Sequence, residues 1–364
     1  MNTNPIDWSP LFSLPAFALG RQEKRQIMTA VCQELHAHHM LACRAYRLVV
    51  DKVFTDASFD AATLERIPFI PVRMFKEMEL MSIDRGQIVK TMTSSGTTGQ
   101  QVSKIFLDRE TALLQTKVLN HIMGALIGKS RLPMLIIDSA DVLENPHMFS
   151  ARAAAIRGFQ LFGRPIEFAL DADMKLSFDR VQRFLKKYEG QRIFLFGFTF
   201  MIWKYWVQPM LKQGLRVSMN QGILLHGGGW KKMQDEAVEH RQFKEVLREL
   251  TGLHSIHNYY GMVEQTGSIF VECHEGYLHA SSFSEILIRN DQDFSILPKG
   301  GTGLIQLISL LPRSYPGFAI LTEDLGCIVG EDDCSCGLKG TYFQVLGRVP
   351  RAELRGCSDV HATF

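Results

Sequence analysis

Three short, almost wholly apolar runs lie in the middle of the chain, separated by segments with helical spacing. The runs are PMLIID at Pro133–Asp138, IFLFGF at Ile193–Phe198 and GILL at Gly222–Leu225, and each is typical of a buried strand. Helices are predicted at Ser150–Gly158 and Phe178–Tyr188. Alternation of buried strands with helices predicts an α/β fold, with a largely parallel, twisted sheet and helices packed on it.

The two ends of the chain have different patterns. Gln22–Arg47 carries apolar residues at helical spacing without Pro or Gly, and Pro68 and Pro71 then end helical structure. Beyond about Glu285 the strands shorten and alternate, which predicts a smaller antiparallel or barrel-like lobe. The predicted division is a helical region at 1–90, an α/β core at 91–284, a small β-rich lobe at 285–346 and a tail at 347–364.

Charge and hydropathy exclude several classes of protein. The chain has 364 residues, with 40 Lys plus Arg against 38 Asp plus Glu, so it lacks the basic excess of a nucleic-acid-binding protein. The first residues, MNTNPIDWSPLF, lack the pattern of a signal peptide. The run IFLFGFTFMIW at Ile193–Trp203 is too short to cross a bilayer and is interpreted as a buried strand running into a turn. We therefore expect a cytoplasmic protein with no membrane or nucleic-acid partner.

Seven cysteines, an odd number, argue against a disulfide framework in a reducing compartment. Cys334-Ser-Cys336-Gly has the spacing of a metal-binding knuckle, and a Zn²⁺ site would need two more ligands. Cys273 is the third candidate, and Cys327 or His279 the fourth. Buried, inert cysteines are the alternative interpretation.

A hydroxyl-rich loop follows a strand predicted at Gln87–Met92. Thr93–Gly99 reads TSSGTTG, and its hydroxyls and backbone N–H groups can surround phosphate oxygens. Lys104 follows with a positive charge. The sequence lacks the GK[ST] of the common nucleotide-binding loop, and a polar turn is the alternative interpretation. The candidate phosphate-binding residues are Thr93, Ser94, Ser95, Gly96, Thr97, Thr98 and Gly99.

A glycine cluster, HGGGW at His226–Trp230, follows the GILL strand. It therefore lies at the carboxyl end of a predicted strand, where open α/β sheets bind ligands, and its glycines let a planar ring lie on the backbone. HGGG also occurs in the oxyanion hole of some lipases, but the GxSxG motif that an esterase needs is missing from the sequence. The candidate ring-binding residues are Gly227, Gly228 and Gly229.

A third motif, NYYGMVE, spans Asn258–Glu264. Its aromatic residues can stack on a purine, and Glu264 can bind Mg²⁺, which prefers carboxylate and phosphate oxygens. An aromatic-rich turn before a strand at Gly267–Cys273 is the alternative. The candidate purine-binding residues are Tyr259, Tyr260 and Gly261.

Two further motifs complete the series. In TEDLG at Thr322–Gly326, Asp324 can accept hydrogen bonds from both ribose hydroxyls. In the last segment, Arg348 can bridge ribose and phosphate. Cys357 lies beside Arg355, whose charge favours a thiolate, so Cys357 is a candidate acyl acceptor, with an inert surface thiol as the alternative.

The order of these motifs resembles that of the adenylate-forming superfamily, and within it the LuxE acyl-protein synthetases, with phenylacetate-CoA ligases as the next relatives. The similarity covers nearly the whole chain. It includes the stretches Ile70–Leu80, Ser94–Asp108, Phe149–Phe159, Phe194–Trp203, Leu224–Lys232 and Arg355–Ser358.

The resemblance implies a fold of parallel sheets flanked by helices with a smaller β lobe. It implies an ATP- and acid-binding core at 91–284 and a hinge at Arg348. Only sixteen residues follow Arg348, so we expect most of the usual C-terminal domain, with its catalytic lysine, to be missing. Candidate cations that could replace this lysine are Lys104, Lys231 and Lys232. Val263 replaces the Thr that the superfamily has before the acidic residue.

The resemblance also implies a function. Mg-ATP would activate a carboxylic acid, by resemblance a fatty acid, to acyl-AMP; Glu264 would hold Mg²⁺, and Cys357 would carry the acyl group to an acyl reductase. Residues expected to border the acyl pocket are Phe196, Phe198, Thr199 and His226. An acyl-CoA or aryl-CoA ligase and a non-catalytic nucleotide-binding subunit remain as alternatives, and a homo-oligomer is left open.

Overall fold

The computed structural model describes residues 6–54, 63–94, 102–143, 151–230 and 237–349. The chain forms two compact units. Unit 1 is assembled from three stretches, Met1–Ser94, Gln101–Leu126 and Gly261–Glu353, and the described part of unit 2 comes from Ile127–Tyr260. The four-part division expected from composition along the chain stays a prediction.

The helices and strands are labelled in chain order. The helices are α1 Ser9–Ser13, α2 Arg21–Ala42, α3 Arg44–Val53, α4 Met74–Glu77, α5 Arg109–Ile127, α6 Ala151–Phe159, α7 Phe178–Lys187, α8 Thr199–Ile202, α9 Gln208–Gln213 and α10 His240–Thr251. The strands are β1 Ile70–Pro71, β2 Lys90–Thr93, β3 Lys104–Leu107, β4 Leu132–Ser139, β5 Gly163–Leu170, β6 Ile193–Phe198, β7 Gly222–Gly227, β8 Ser255–Tyr260, β9 Phe270–Glu272, β10 Leu278–His279, β11 Ser284–Arg289, β12 Gly303–Ser309, β13 Ala319–Glu331 and β14 Thr341–Arg348.

Unit 2 contains the predicted parallel sheet, with strand order β8-β7-β6-β4-β5. Strands β6 and β7 are buried along their whole lengths, as the continuous apolar runs predict for strands covered on both faces. Phe184 of α7 and Phe243 of α10 pack into the same apolar core as Leu195 of β6. The predicted strands and helices of this region are confirmed.

The segment after β6 differs from the prediction. We expected a turn, but the chain enters α8 at Thr199 and continues through a π-helical stretch, Trp203–Val207, into α9. The sequence from Thr199 to Gln208 has no Gly or Pro, and Pro209 stands in the first turn of α9, where proline is tolerated. The helical segment therefore continues to Gly214, whose φ is +64°. The helix buries Trp203 and Trp206.

Unit 1 is built on a mostly antiparallel sheet of order β11-β12-β13-β14-β10-β9, to which β1 adds in parallel along β13. Strands β11 to β14 pair antiparallel, as the alternating pattern beyond about Glu285 predicts. Strand β11 ends at Arg289, because the polar residues that follow form a turn in which the N–H of Asn290 bonds the carbonyl of Ser295 (2.9 Å).

Two helices replace the single predicted N-terminal helix. Cys43 separates α2 from α3 with an extended backbone, φ −117° and ψ 101°, and its sulfur accepts a hydrogen bond from the N–H of Tyr46. Lys24 of α2 forms a buried ion pair with Glu285 of β11 at 3.2 Å, and only 1% and 2% of these side chains are exposed. None of the helices in the described ranges combines the length and apolar character needed to cross a bilayer.

Candidate active site

The stem of the hydroxyl-rich loop is a β-hairpin in unit 1. Thr93 on β2 pairs with Lys104 on β3. One residue further on, the N–H of Ser94 bonds the Ser103 carbonyl at 3.1 Å, and the N–H of Ser103 bonds the Ser94 hydroxyl at 2.9 Å. The hairpin therefore brings both ends of the loop together. The predicted loop residues that lie outside the described residues are Ser95, Gly96, Thr97, Thr98 and Gly99.

The predicted magnesium ligand, Glu264, lies in a 3₁₀ turn of unit 1 and is only 5% exposed. Burial raises the pKa of its carboxyl group, while the neighbouring Ser103 hydroxyl and the charges of Lys76 and Arg348 lower it. The net shift is upward, so the nearby groups do not fully compensate for the lost hydration. Ser103 places this carboxyl beside the stem of the loop.

Hydrogen bonds hold the Glu264 turn in place. The Tyr315 hydroxyl donates to the Glu264 carbonyl at 2.9 Å, and the Gln265 side-chain amide donates to the Gly317 carbonyl at 2.8 Å. Gly267 follows with φ +90°, and a Cβ there would lie 2.7 Å from the Gln115 carbonyl oxygen. The turn is therefore rigidly supported, as a ligand-binding carboxylate requires.

The surroundings of Glu264 fit a divalent cation. A buried carboxylate without full compensation of its charge is costly, and a bound Mg²⁺ would supply the missing positive charge. Mg²⁺ prefers carboxylate and phosphate oxygens, so the Glu264 carboxyl group is a ligand of the preferred type.

The predicted ribose ligand and the predicted hinge residue are neighbours in unit 1. Asp324 on β13 and Arg348 on β14 occupy paired positions, and their side chains form an ion pair at 2.9 Å. The Thr322 hydroxyl accepts a hydrogen bond from the N–H of Asp324 at 3.1 Å. Three of the residues predicted to bind ATP and its Mg²⁺, namely Glu264, Asp324 and Arg348, thus lie in unit 1.

In unit 2, the glycine cluster lies beside an aromatic ring. Gly227 at the end of β7 pairs with Tyr259 on β8, and a Cβ at Gly227 would overlap the Tyr259 ring. Gly228 has φ +76°, whereas Gly229 faces open space. Tyr260 ends β8. The absence of a side chain at Gly227 therefore lets an aromatic ring pack against the backbone. In this structure the Tyr259 ring occupies that position.

The predicted acyl-pocket phenylalanines lie in an aromatic cluster of unit 2. Phe196 stacks on Phe159 at 4.4 Å between ring centroids, and Phe198 and Tyr259 contact this pair edge-on. Phe196 and Phe198 are 0% and 1% exposed. An acyl chain would therefore reach them only after a neighbouring ring moves, and the half-buried Tyr259 is the most exposed of the four.

The other two predicted pocket residues bond to each other. His226 is buried, and its Nδ1 atom lies 2.9 Å from the Thr199 hydroxyl, which also lies 3.2 Å from the Gly227 carbonyl oxygen. The His226 ring packs at 4.9 Å from the Phe243 ring. The pair thus joins the start of α8 to the end of β7 and fixes the backbone on which Tyr259 lies.

A buried ion pair at the carboxyl end of β4 was not predicted. Arg152 of α6 binds Asp138 of β4 through two contacts of 3.0 Å. Burial raises the pKa of Asp138 to about 6, even though Arg152 opposes this shift. The pair anchors α6, which carries Phe159 to the aromatic cluster.

Four metal-binding side chains gather in unit 1. Ligand atoms of Cys273, His279, Cys334 and Cys336, hereafter the Cys/His cluster, all lie within 4.8 Å of one another. Burial and the neighbouring thiols raise the pKa of Cys336 to about 12, and burial with the Lys24 charge lowers the pKa of His279 to about 4. Of the two predicted fourth members, the structure places His279 in the cluster.

Cys327 lies outside this cluster. It faces Gln344 across β13 and β14, whereas Tyr342, two residues earlier on β14, packs against Cys273 and Cys334. The offset along the strand keeps the Cys327 thiol away from the other sulfurs.

Sequence reasoning missed Ser103 and Lys76 beside Glu264, and Tyr315 behind it. Ser103 and Lys76 lie in the stretches Ser94–Asp108 and Ile70–Leu80, which resembled the LuxE proteins although no role was assigned to these two residues. Tyr315 is far from Glu264 in sequence, and no local pattern marks it.

The comparisons with known proteins decide the family. The family model described as acyl-protein synthetase, LuxE, matches residues 4–363. The chain belongs to this family.

Two curated relatives agree with that assignment. The long-chain-fatty-acid–luciferin-component ligase of Vibrio harveyi is 23% identical over 350 residues, covering 93% of this chain and 88% of the relative. The ligase of the same name from Aliivibrio fischeri is 23% identical over 366 residues, covering 98% and 90%. Membership of the LuxE family makes the chain a ligase, and it supports activation of an acid by ATP.

A solved structure supports the fold. The open conformation of 2-hydroxyisobutyryl-CoA ligase, in complex with 2-HIB-AMP and CoA, has a TM-score of 0.67 and 14% identity, covering 96% of this chain and 80% of that chain. The predicted adenylate-forming fold is confirmed. Cys357, Lys231 and Lys232 lie outside the described residues, so their predicted roles stay predictions.

Proposed function

We propose that this LuxE-family chain uses Mg-ATP to convert a long-chain fatty acid to acyl-AMP, and then transfers the acyl group to its own Cys357 thiol for delivery to an acyl reductase. The observation that carries the proposal is the buried Glu264 carboxyl beside Ser103, at the stem of the hydroxyl-rich loop. A divalent cation at this carboxyl would lie beside the stem of that loop.

In the first step, a carboxylate oxygen of the acid attacks the α-phosphorus of ATP, and the bond from that phosphorus to pyrophosphate breaks. The chain contributes positioning and neutralisation of charge rather than covalent chemistry. A Mg²⁺ held by Glu264 would supply positive charge to the departing pyrophosphate. Lys104, exposed and paired with Thr93 at the stem, is the described member of the three candidate cations.

In the second step, the Cys357 thiolate attacks the acyl carbon. A C–S bond forms, the C–O bond to AMP breaks, and AMP leaves with the electron pair; the thiol proton goes to solvent when the thiolate forms. This assignment rests on the resemblance of RGCS at Arg355–Ser358 to the LuxE proteins. The neighbouring Arg355 charge would favour the thiolate.

The names of the two curated relatives support a fatty-acid substrate and an acyl-accepting partner. The aromatic cluster around Phe196 is apolar, which agrees with a fatty acyl chain. A Zn²⁺ at the Cys/His cluster would take no part in either step, because thiolates select Zn²⁺ whereas phosphates and carboxylates select Mg²⁺. The cytoplasmic location stays a prediction.

Exchange of radioactive pyrophosphate into ATP tests the first step. The expected result is exchange that depends on Mg²⁺ and on a long-chain fatty acid, with weaker exchange for short acids. Glu264→Gln should abolish exchange, while Glu275→Gln, at an exposed glutamate of the same unit, should leave it unchanged. Absence of exchange with every acid in the panel would refute adenylation.

Covalent labelling tests the second step. With radioactive fatty acid and ATP, the chain should retain label that hydroxylamine releases. Cys357→Ser should lose this label and keep pyrophosphate exchange. Cys327→Ser is the matched control, because Cys327 is a half-buried thiol outside the Cys/His cluster, and it should keep both. Label that survives Cys357→Ser would place the acyl group elsewhere.

The same assays separate the two alternatives. AMP formation that requires CoA, without labelled protein, would identify an acyl-CoA or aryl-CoA ligase. Thermal stabilisation by ATP without exchange would identify a non-catalytic nucleotide-binding subunit.

A further inference from the structure

The Cys/His cluster has the dimensions of a metal site. Ligand atoms around a tetrahedral Zn²⁺ lie about 3.6–3.8 Å apart, given Zn–S and Zn–N bonds of ~2.0–2.3 Å. The cluster's ligand atoms lie within 4.8 Å of one another, and the Cys336 sulfur is 3.4 Å from His279 Nε2. Small rotations of the cysteine side chains would therefore close the cluster around an ion.

The first two members come from one hairpin. Cys273 follows β9, and His279 lies on β10, which pairs antiparallel with β9. Between them the chain turns tightly, with Gly276 at φ +86° and its N–H bonded to the Cys273 carbonyl at 3.1 Å. The Cys273 N–H bonds the Tyr277 carbonyl at 2.9 Å, which holds the two side chains on one side of the hairpin.

The other two members come from a knuckle after β13. Gly337 has φ +85°, and its N–H bonds the Cys334 carbonyl at 3.0 Å. The N–H of Leu338 points to the Cys336 sulfur at 3.4 Å. A backbone N–H donated to sulfur stabilises a thiolate, so this turn is shaped to present two sulfurs to a cation.

The chemistry of the donors selects the ion. Three thiols and one imidazole suit tetrahedral Zn²⁺, whereas Mg²⁺ and Ca²⁺ take oxygen ligands. Cys273, Cys334 and His279 are buried and Cys336 is half-buried, and these four protein ligands would fill every position of a tetrahedral ion. A closed set of four protein ligands is typical of a structural rather than a catalytic zinc. We propose that Cys273, Cys334, Cys336 and His279 bind a structural Zn²⁺.

The bound ion joins parts of unit 1 that are distant in sequence. It ties the β9–β10 hairpin to the knuckle, and the segment before α2 packs on both. The Phe17 ring meets the His279 ring edge-on at 6.4 Å, and the Lys339 N–H, just after the knuckle, bonds the Phe17 carbonyl at 3.0 Å. Zinc therefore fixes the surface on which this N-terminal segment rests.

Metal analysis of the purified full chain tests the proposal, and its outcome is independent of adenylation. Protein from zinc-supplemented medium should carry one Zn²⁺ per chain, and a thiol-blocking mercurial should release it to a colorimetric chelator. Cys336→Ser should lower the zinc content and the melting temperature, and Cys327→Ser should change neither. Wild-type protein with no more zinc than Cys336→Ser overturns the proposal.

A second measurement covers the case in which Cys336→Ser does not fold. Wild-type chain loaded with Co²⁺ in place of Zn²⁺ should show the strong visible bands of tetrahedral cobalt and a thiolate-to-metal charge-transfer band. Octahedral cobalt bands without charge transfer, or iron instead of zinc in the purified chain, would overturn the assignment.

Discussion

Arg348 Nε donates a hydrogen bond to Asp324 Oδ1 at 2.9 Å, across paired positions of β13 and β14. The contact joins the residue that the sequence assigned to ribose with the residue that it assigned to the hinge. A ribose that binds Asp324 would therefore share this carboxylate with Arg348. Nucleotide binding and the position of Arg348 would then be coupled.

Replacement of Asp324 tests this coupling. Asp324→Asn should raise the KM for ATP roughly 10- to 100-fold in pyrophosphate exchange, because a hydrogen bond to a charged group contributes about 1.5–3 kcal/mol. Glu323→Gln, one residue earlier on the same strand, should leave the KM unchanged. An unchanged KM in Asp324→Asn would remove the ribose role.

Gly227 provides a steric test of the adenine site. The added Cβ of Gly227→Ala would overlap the Tyr259 ring, and such overpacking costs ~1–3 kcal/mol. We expect the displaced ring to lower the kcat/KM for ATP at least 10-fold. Gly158→Ala, in α6 of the same unit, is the matched control, because a Cβ there meets open space. Equal activity of the two variants would mean that Tyr259 does not frame the nucleotide.

The Lys24–Glu285 pair predicts a non-additive effect on stability. Burial lowers the pKa of Lys24, and the Glu285 charge opposes that shift. The charged form of Lys24 is therefore stabilised by its partner. Lys24→Met should destabilise unit 1 by about 3–5 kcal/mol, because it leaves a buried carboxylate unpaired. The double variant Lys24→Met, Glu285→Gln should recover much of that loss in urea unfolding.

An exposed ion pair supplies the control for this cycle. Lys299→Met breaks the contact with Asp333, in which both side chains are more than half exposed, and should shift the unfolding midpoint little. If Lys24→Met shifted the unfolding midpoint as little as Lys299→Met, the buried pair would contribute no more to stability than an exposed pair.

The buried His39 ring leads us to expect that the folded protein is less stable in acid. Its Nε2 lies 3.1 Å from the Pro312 carbonyl oxygen, to which it donates, and its Nδ1 lies 2.7 Å from the Ser82 hydroxyl, which can donate to a neutral ring. Burial, with the charges of His38, Arg313 and His36, holds the pKa of His39 well below its usual value. The unfolded chain therefore binds the proton first, and stability should fall as the pH drops below about 6.5.

The melting temperature measured between about pH 7 and pH 5 checks this prediction. His39→Phe keeps an aromatic ring near Phe318 and should flatten the pH dependence, although it costs stability at every pH because the Pro312 carbonyl loses its donor. His254→Gln replaces an exposed histidine and should keep the wild-type slope. A wild-type slope in His39→Phe would contradict the assignment.

The elements of unit 2 were predictable because their signals are local. Ile193–Phe198 is apolar at every position, and a strand buried on both faces needs no other information to be recognised. The helix after it was missed because Phe, Trp and Tyr suit strands as well as helices, and the deciding feature was that no Gly or Pro occurs from Thr199 to Gln208. The break at Cys43 likewise has no Gly or Pro to mark it.

The candidate site was predictable only in part, because local sequence patterns do not reveal contacts between distant segments. Glu264 stands in a motif that can be recognised in sequence, but its environment depends on Ser103 and Tyr315, which the fold brings from distant segments. The spacing of Cys334 and Cys336 in the sequence identified both as candidate metal ligands. Only the pairing of β10 with β9 and β14 placed His279, rather than Cys327, beside them.

Unit 1 is assembled from three separate stretches, and this has a consequence for how the protein is made. The described part of unit 2 comes from a single stretch of the chain, Ile127–Tyr260, so its contacts can form once that stretch has been synthesised. The Lys24 ammonium group donates to the carbonyl of Ala280, which is synthesised 256 residues later, so this contact in unit 1 forms late. We therefore expect the N-terminal helices to remain without their partners for most of translation and to be the part of the nascent chain that most needs a chaperone.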